Sequence, residues 1–186
     1  MWSEPEDDCP LNEEEMASLP LIDPFERVPP ERRAAKTPKP GETHKDGFEP
    51  FIYDAIRNNT PSVDQGFVAL NLEDAKIVRT RPHKEWSEVH REACFLWVID
   101  ADRIRLIREQ TRNTRRDPQI VCHTNLTGNA KARIGGELFF CEDGSIIINQ
   151  KSDRYGRATP EQFEVALNYF RRVGYRNLIV VTPDFA

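Results

Sequence analysis

The sequence Glu137-Leu-Phe-Phe-Cys-Glu-Asp-Gly-Ser-Ile-Ile-Ile-Asn149 holds two apolar runs separated by an Asp143-Gly144 step. An Asp-Gly step tolerates the positive φ angles of a tight turn, and the runs on either side are rich in strand-forming residues. We therefore predict a β-hairpin with strands over Glu137–Cys141 and Ser145–Asn149.

The segment after this hairpin carries the clearest helix signals in the chain. Thr159 is suited to cap a helix, Pro160 to occupy its first position and Gln162 to complete a capping box. Apolar residues follow at helical spacing, and Gly174 ends the pattern. We expect a helix between Thr159 and Gly174 and a strand over Leu178–Val181.

Upstream of the hairpin, Phe95-Leu-Trp-Val-Ile99 contains no charged residue and predicts a central strand buried on both faces. We predict a further strand over Ile120–Thr124 and short helices over Phe51–Ile56 and Arg103–Glu109. This order of elements predicts an α+β fold, with a mostly antiparallel sheet and helices packed on one face.

Residues 1–46 differ in composition from the rest of the chain. They hold eight of its 14 prolines and 12 acidic against 6 basic side chains, whereas the remainder holds 19 acidic and 20 basic. Such a segment buries too little apolar area to offset its ordering entropy, so we predict a mostly disordered acidic tail followed by one domain over residues 47–186. The apolar island Leu19-Pro-Leu-Ile-Asp-Pro-Phe25 is the exception, since it is suited to dock on a partner or on the protein's own domain.

The sequence argues against several common classes of site. The four cysteines form no C-x-x-C pair and the histidines have no i,i+4 spacing, so we expect no metal and no cofactor, and we interpret Cys94, Cys122 and Cys141 as buried hydrophobic residues. The motifs of P-loop, Rossmann and serine-hydrolase proteins are absent as well. No run approaches the about 18 apolar residues of a membrane span and the N-terminus does not resemble a signal peptide, so we expect a soluble, cytoplasmic protein without a membrane partner.

Two polar clusters interrupt the apolar strands and mark the candidate site. The first lies where the strand over 120–124 is expected to end, and it comprises His123, Thr124, Asn125 and Thr127. Loops at strand ends are held by rigid elements and supply many functional sites. The histidine suits proton transfer, and the hydroxyls and the amide suit ligand binding. In a structural interpretation these side chains instead fix local backbone turns.

The second cluster follows the return strand of the hairpin and includes Ser152, Arg154 and Tyr155. Arg154 offers a planar cation for a phosphate or carboxylate, and the other two offer hydroxyls. Glu137, directly after Gly135-Gly136, is suited to act as a general base or to pair with an arginine. The structural alternative makes this cluster the entry to the last helix, because caps and turns use the same residue types.

These positions resemble a pattern known from two kinds of protein. One is a set of bacterial effector- or toxin-like proteins with a His-Thr/Ser…Gly-Glu-Leu…Ser-Gly-x-Tyr pattern, and the other is the C-terminal region of the plant IQ-motif calmodulin-binding proteins. The resemblance spans the chain from Phe95 to Val181. The matching residues are His123, Thr124, Gly136, Ser152, Tyr155 and the helix start at Thr159.

The chain departs from this pattern at three positions. Asp153 replaces the usual glycine, Arg154 replaces the histidine of the plant proteins, and Glu137 stands where they have arginine. No IQ motif is present, so calmodulin binding does not carry over.

Two hypotheses follow for the function. In the first, an effector- or toxin-type enzyme domain acts on a phosphate-bearing ligand, which is a nucleotide, a dinucleotide or RNA. In the second, the domain is a non-catalytic binding or regulatory module, antitoxin-like or recruiting a protein partner through its acidic tail, and the same residues are structural. The first hypothesis assigns catalysis to His123, Tyr155 and Glu137, and ligand binding to Thr124, Asn125, Ser152 and Arg154.

Overall fold

The structure, a computed structural model, describes residues 10–26, 52–54, 68–81, 88–101, 103–109, 111–114, 117–120, 123–128, 130–152 and 154–182. Its helices are α1 (Glu13–Ser18), α2 (Leu72–Thr80), α3 (Glu88–Glu92), α4 (His123–Thr127) and α5 (Pro160–Val173). Its strands are β1 (Ile52–Asp54), β2 (Phe95–Ile99), β3 (Ile104–Arg108), β4 (Thr111–Thr114), β5 (Asp117–Ile120), β6 (Ile134–Phe140), β7 (Ile146–Ile148) and β8 (Leu178–Val180). Within these ranges, no helix has both the length and the apolar character needed to cross a membrane.

Six strands form one sheet in the order β1-β3-β2-β6-β7-β8, and β4 and β5 form a separate antiparallel pair. Neighbours in the large sheet are antiparallel except for β7 and β8, which are parallel. The predicted α+β fold with a mostly antiparallel sheet is therefore confirmed. The central strands β2 and β6 are buried along their whole length, as the apolar sequence of β2 leads one to expect.

Both faces of the sheet are covered, since successive side chains of a strand point to opposite sides. On one side, here named the α5 face, Phe163 and Phe170 of α5 pack on Trp97 with ring centroids 6.5 and 5.0 Å away. On the other, the α2 face, Val78 of α2 and Leu126 of α4 pack with the alternate strand residues. Helices therefore cover both faces of the sheet, whereas the sequence predicted helices on one face only.

The strongest local sequence signals are confirmed. Thr159 Oγ1 accepts a hydrogen bond from Gln162 N at 3.1 Å, and the Gln162 side chain accepts one from Thr159 N at 2.9 Å, which completes the capping box of α5. Gly174 ends the helix with φ at 119°, a conformation that favours glycine. The hairpin of β6 and β7 turns at Gly144, with φ at 82°.

The two short helices predicted over 51–56 and 103–109 are wrong, because β1 and β3 lie there instead. A tight turn joins β2 to β3, in which Asp100 N donates to Arg103 O at 3.0 Å. Ile104 and Leu106 then face the α5 side of the sheet, while Ile107 faces the α2 side. The apolar residues at 104 and 107 fit a helical spacing in isolation, but pairing with β2 imposes the two-residue period of a strand.

Residues 10–26 belong to the folded domain, so the domain includes chain that precedes residue 47. Of the two alternatives for the apolar island, the structure shows docking on the protein's own domain. Leu11 and Leu19 are buried in the core of the α5 face, and Ile22 forms an antiparallel bridge with Ala132. The other residues of the predicted acidic tail, 1–9 and 27–46, lie outside the described part of the chain.

Arginines of the domain hold this N-terminal segment, residues 10–26, in place. Arg133 Nη1 donates to Met16 O at 3.1 Å and to Leu19 O at 2.6 Å. The guanidinium of Arg172, near the end of α5, pairs with the carboxylate of Glu15 in α1. Hydrogen bonds from a charged donor to backbone carbonyls are stronger than neutral ones, so these contacts fix the path of the segment.

Replacing Leu19 by alanine tests the docking of the N-terminal segment. Leu19 is 1% exposed, so Leu19→Ala should lower the free energy of unfolding by about 2–5 kcal/mol through lost burial and an unfilled cavity. Leu21, two residues away and 46% exposed, provides the control, and Leu21→Ala should change that energy by less than about 0.5 kcal/mol. Urea denaturation of both variants gives the two values, and equal stabilities would contradict a docked segment.

Candidate functional site

The candidate site lies where residues 149–156 leave β7 and run beside the first half of β6. Asn149 N donates to Glu137 O at 3.0 Å, and Gly135 N donates to Tyr155 O at 3.0 Å. The segment therefore supplies hydrogen bonds to β6 beyond the point where β7 ends. This places the second polar cluster of the sequence next to the strand that carries Glu137.

Gly136 permits this close passage. A Cβ atom built at residue 136 would lie 2.0 Å from Asn149 O, so no side chain fits there. The indole of Trp97 lies opposite, and its Nε1 donates to Glu137 O at 3.2 Å and to Asn149 O at 3.0 Å. We call the place where the Asn149 backbone passes Gly136 the crossing. One buried N–H donor thus serves two carbonyl groups there.

Asn149 and Ser152 shape the segment through hydrogen bonds to backbone amides. Asn149 Oδ1 accepts from Glu137 N at 3.0 Å and from Lys151 N at 2.8 Å. Ser152 Oγ accepts from Tyr155 N at 3.1 Å and from Arg154 N at 3.3 Å. Both side chains act as turn-forming groups in this structure, which is the alternative that the sequence left open for the second cluster.

His123 begins α4 and does not end a strand, so the predicted strand over 120–124 is wrong in its second half. The imidazole is buried, with 8% exposure, and its Nε2 lies 2.7 Å from Gly136 O. A carbonyl oxygen can only accept, so Nε2 carries the proton and donates it. This hydrogen bond ties the start of α4 to the middle of β6.

Tyr155 is completely buried on the α2 face, and its hydroxyl is engaged. The hydroxyl donates to Ala130 O at 2.8 Å and lies 2.9 Å from Thr127 Oγ1. Since the phenol has one hydrogen, Thr127 is the donor in the second contact. Tyr155 therefore links the 149–156 segment to α4 and to the residues that follow it.

His123 and Tyr155 meet at Gly135. A Cβ atom built at Gly135 would lie 3.3 Å from His123 Cδ2 and 3.2 Å from Tyr155 Cβ. The two side chains, 32 positions apart in the sequence, thus lie side by side against the same face of β6. The assignment of both residues to one catalytic site requires this proximity, but their catalytic roles stay predictions.

Arg154, predicted to bind an anionic ligand, contacts the N-terminal segment. Its Nη1 lies 3.4 Å from Pro24 O, and its guanidinium carbon is 5.5 Å from the ring centroid of Phe25. A guanidinium over an aromatic ring makes a favourable cation–π contact. Arg154 therefore joins Arg133 and Arg172 in holding residues 10–26.

Glu137 lies on the α2 face of β6 and is 4% exposed. The thiol of Cys94 donates to Glu137 Oε2 at 3.3 Å. Burial raises the pKa of this thiol well above its ordinary value, and the nearby carboxylates of Glu137 and Glu109 raise it further. Cys94 is thus a neutral thiol at physiological pH, which disfavours a nucleophilic role.

Cys94, Glu109 and Glu137 are the residues of the described chain whose donor atoms are grouped closely enough to hold a metal ion. Sequence reasoning interpreted Cys94 as a hydrophobic residue and gave no role to Glu109. No spacing rule links positions 94, 109 and 137, because the sheet brings them together from three separate strands.

The remaining predicted ligand-binding residues lie in α4. Thr124 is buried, and its carbonyl oxygen is 3.4 Å from Thr127 Oγ1. Asn125 lies on the same helix, but its side chain is outside the described part of the structure. Their assignment to ligand binding stays a prediction.

Comparison with models of protein families, with curated proteins and with solved structures found no match for this chain. The resemblance to bacterial effector-like proteins and to the plant IQ-motif proteins therefore stays a prediction.

The crossing at Gly136 can be tested by adding one methyl group. Gly136→Ala should lower the free energy of unfolding by about 3 kcal/mol, because the new Cβ would lie 2.0 Å from Asn149 O and the backbone there would have to shift. Gly144→Ala is the matched control, since nothing lies within 4 Å of its Cβ position and the cost is limited to about 1–2 kcal/mol of left-handed backbone strain. Thermal and urea denaturation compare the two, and a Gly136→Ala protein as stable as the control would contradict the close passage.

Proposed function

We propose that this domain is a non-catalytic binding module, and that the polar residues predicted to form an active site brace its fold. One observation carries the proposal: the polar groups of the second cluster make hydrogen bonds within the protein. The Tyr155 hydroxyl bonds Ala130 O, the Ser152 hydroxyl accepts two backbone amides, and Arg154 contacts Pro24 O.

These contacts weigh against a phosphate-bearing ligand at this position. A phosphate would have to draw Arg154 away from the carbonyl of Pro24 and from the ring of Phe25. It would also need donors from Tyr155, whose hydroxyl hydrogen is already donated to Ala130 O. Breaking this partly buried hydrogen bond would cost about 0.5–1.5 kcal/mol, which ligand binding would have to offset.

The N-terminal region offers the better surface for a partner. Residues 1–46 carry 12 acidic and 6 basic side chains, whereas the rest of the chain is close to neutral. Within this region α1 is fixed on the domain, because Leu11 and Leu19 on either side of it are buried. The helix itself begins at a capping box that Asn12 forms with Glu15. Glu15 pairs with Arg172, while Glu13 and Glu14 are exposed.

An acidic surface of this kind fits a protein partner with a basic face. Complementary charges raise the rate of association and select the partner, and salt weakens them. The proposal therefore assigns recognition to the N-terminal region and structural support to the His123–Tyr155 pair.

The two hypotheses differ in the behaviour of His123→Ala and Tyr155→Phe. If the residues are structural, each variant should lose about 1–3 kcal/mol of stability, which lowers the melting temperature by about 2–4 °C per kcal/mol in a chain of this size. Adding mono- and dinucleotides should leave the melting temperature of every form unchanged.

A double variant provides the control for the phenol contact. Tyr155→Phe combined with Thr127→Val removes both partners of one hydrogen bond, so its cost should be smaller than the sum of the two single costs. The enzymatic hypothesis would be restored by two results together. The variants would have to be as stable as wild type, and the wild-type protein would have to turn over a nucleotide that His123→Ala does not.

The acidic surface can be tested with a lysine-rich peptide as the probe. Glu13→Lys with Glu14→Lys should weaken binding of this peptide at low salt by about tenfold or more, since the change reverses two exposed charges. The control is Glu142→Lys with Glu161→Lys, which changes the net charge by the same amount at two other exposed residues. It should bind the peptide with an affinity within about twofold of wild type. Equal losses in the two double variants, measured by titration in increasing salt, would show a dependence on net charge alone and contradict the assignment to α1.

A further inference from the structure

Three side chains with metal-binding donors converge on the α2 face of the sheet. They are the thiol of Cys94, just before β2, and the carboxylates of Glu109, just after β3, and Glu137, within β6. One donor atom from each lies within 4.8 Å of the other two. Cys94 is completely buried, Glu137 is nearly so, and Glu109 is half-buried.

One of the three separations already matches that of ligands around one small cation, and all three lie within 4.8 Å. Zinc binds sulfur at about 2.3 Å and carboxylate oxygen at about 2.0–2.2 Å, so tetrahedral ligand atoms lie about 3.3–3.6 Å from one another. The Cys94 Sγ and Glu137 Oε2 atoms are already 3.3 Å apart. The other separations are at most 4.8 Å, and the flexible side chain of Glu109 can close a remaining gap of about 1.5 Å by a change of rotamer.

The geometry points to a binding site for one divalent transition-metal ion, formed by Cys94, Glu109 and Glu137. A soft thiolate together with two hard carboxylates suits a borderline ion, and zinc(II) is the ion that most often accepts this mixture of ligands. Three protein ligands leave a fourth position open to water or to a further ligand.

The sheet fixes the backbone positions of the three ligands. Cys94 directly precedes β2, Glu109 directly follows β3 and Glu137 lies within β6, and these three strands are neighbours in the sheet. Glu109 N donates to Cys94 O at 2.8 Å, and Glu137 is paired with Leu96, two residues after Cys94. A site on strands is preorganised, because its ligands move little on binding.

The charges of the site also suit a cation. Metal binding replaces the hydrogen of the Cys94 thiol, so that the sulfur–hydrogen bond breaks, a sulfur–metal bond forms and one proton passes to solvent. A divalent ion then faces a thiolate and two carboxylates, which leaves one net negative charge in place of the two that the carboxylates carry beside a neutral thiol. Half-buried Glu109 gives the ion a route from solvent.

This inference is independent of the proposed function, because a metal ion at this site serves a binding module and an enzyme equally well. Cobalt(II) is the probe of choice, since it substitutes for zinc and gives a sulfur-to-metal charge-transfer band in the near ultraviolet when a thiolate binds it. The full chain, reduced and stripped with a chelator, is titrated with cobalt(II) and then with zinc(II). We expect the band to saturate at one ion per chain and to disappear when zinc displaces cobalt.

Two variants assign the ligands. Cys94→Ser should abolish the charge-transfer band, whereas Cys141→Ser, which changes the other buried thiol of the described chain, should retain it. Glu109→Gln alters the half-buried ligand and so disturbs the core least, and it should weaken zinc binding at least tenfold. Zinc should raise the melting temperature of wild type and of Cys141→Ser clearly more than that of Glu109→Gln.

Each other outcome overturns the site. If the wild-type protein binds no cobalt(II), or binds it without the charge-transfer band, a thiolate ligand is excluded. A band that survives Cys94→Ser, or that is lost with Cys141→Ser, moves the ion elsewhere. Should Cys94→Ser fail to fold, as judged by circular dichroism, an unchanged zinc affinity in Glu109→Gln would still contradict the proposal.

Discussion

The passage of the Asn149 backbone over Gly136 is the contact on which the rest of the candidate site depends. The chain leaves β7 at this point and approaches β6 so closely that a Cβ at residue 136 would touch a carbonyl oxygen. Buried carbonyl groups need donors, and the single indole N–H of Trp97 is shared by the carbonyl oxygens of Glu137 and Asn149. Because Trp97 also packs on Phe163 and Phe170, the same side chain joins the crossing to the core of the α5 face.

Polar residues gather at this crossing for a reason that the sequence alone does not reveal. A strand that stops after three residues leaves amides and carbonyls of its neighbour without ladder partners, and each must find another. Asn149 and the carbonyl of Tyr155 provide these partners on one side of β6, and His123 provides one to Gly136 O, while Ser152 shapes the segment that carries Tyr155. A cluster of histidine, hydroxyl and amide groups is therefore what a buried strand end requires, and it has the same composition as a catalytic site.

The sequence predicted those elements whose signals are local. The hairpin around Asp143-Gly144 and the helix capped by Thr159 depend on residues within a few positions of each other, and both are confirmed. The strand β3 and the helix start at His123 were assigned wrongly, because pairing with β2 and packing on Gly135 come from residues far away in the sequence. His123 and Tyr155, which the sequence assigned to one site, do lie side by side, although His123 begins a helix and does not end a strand. The grouping of Cys94, Glu109 and Glu137 was not, since it arises only after three strands are placed side by side.

The N-terminal segment engages three arginines of the domain in contacts within the protein. Arg133, Arg154 and Arg172 each contact it, and its buried leucines complete the α5 face while Ile22 packs against the other. Removing the segment would expose apolar surface on both faces and take one partner from each of three arginines, so its docking is part of the fold and not a weak attachment. It follows that the segment cannot give up Arg154 to an anionic ligand without loosening its own anchorage. The arginines of the domain thus hold residues 10–26 in place, and within this segment the carboxylates of Glu13 and Glu14 stay exposed to solvent.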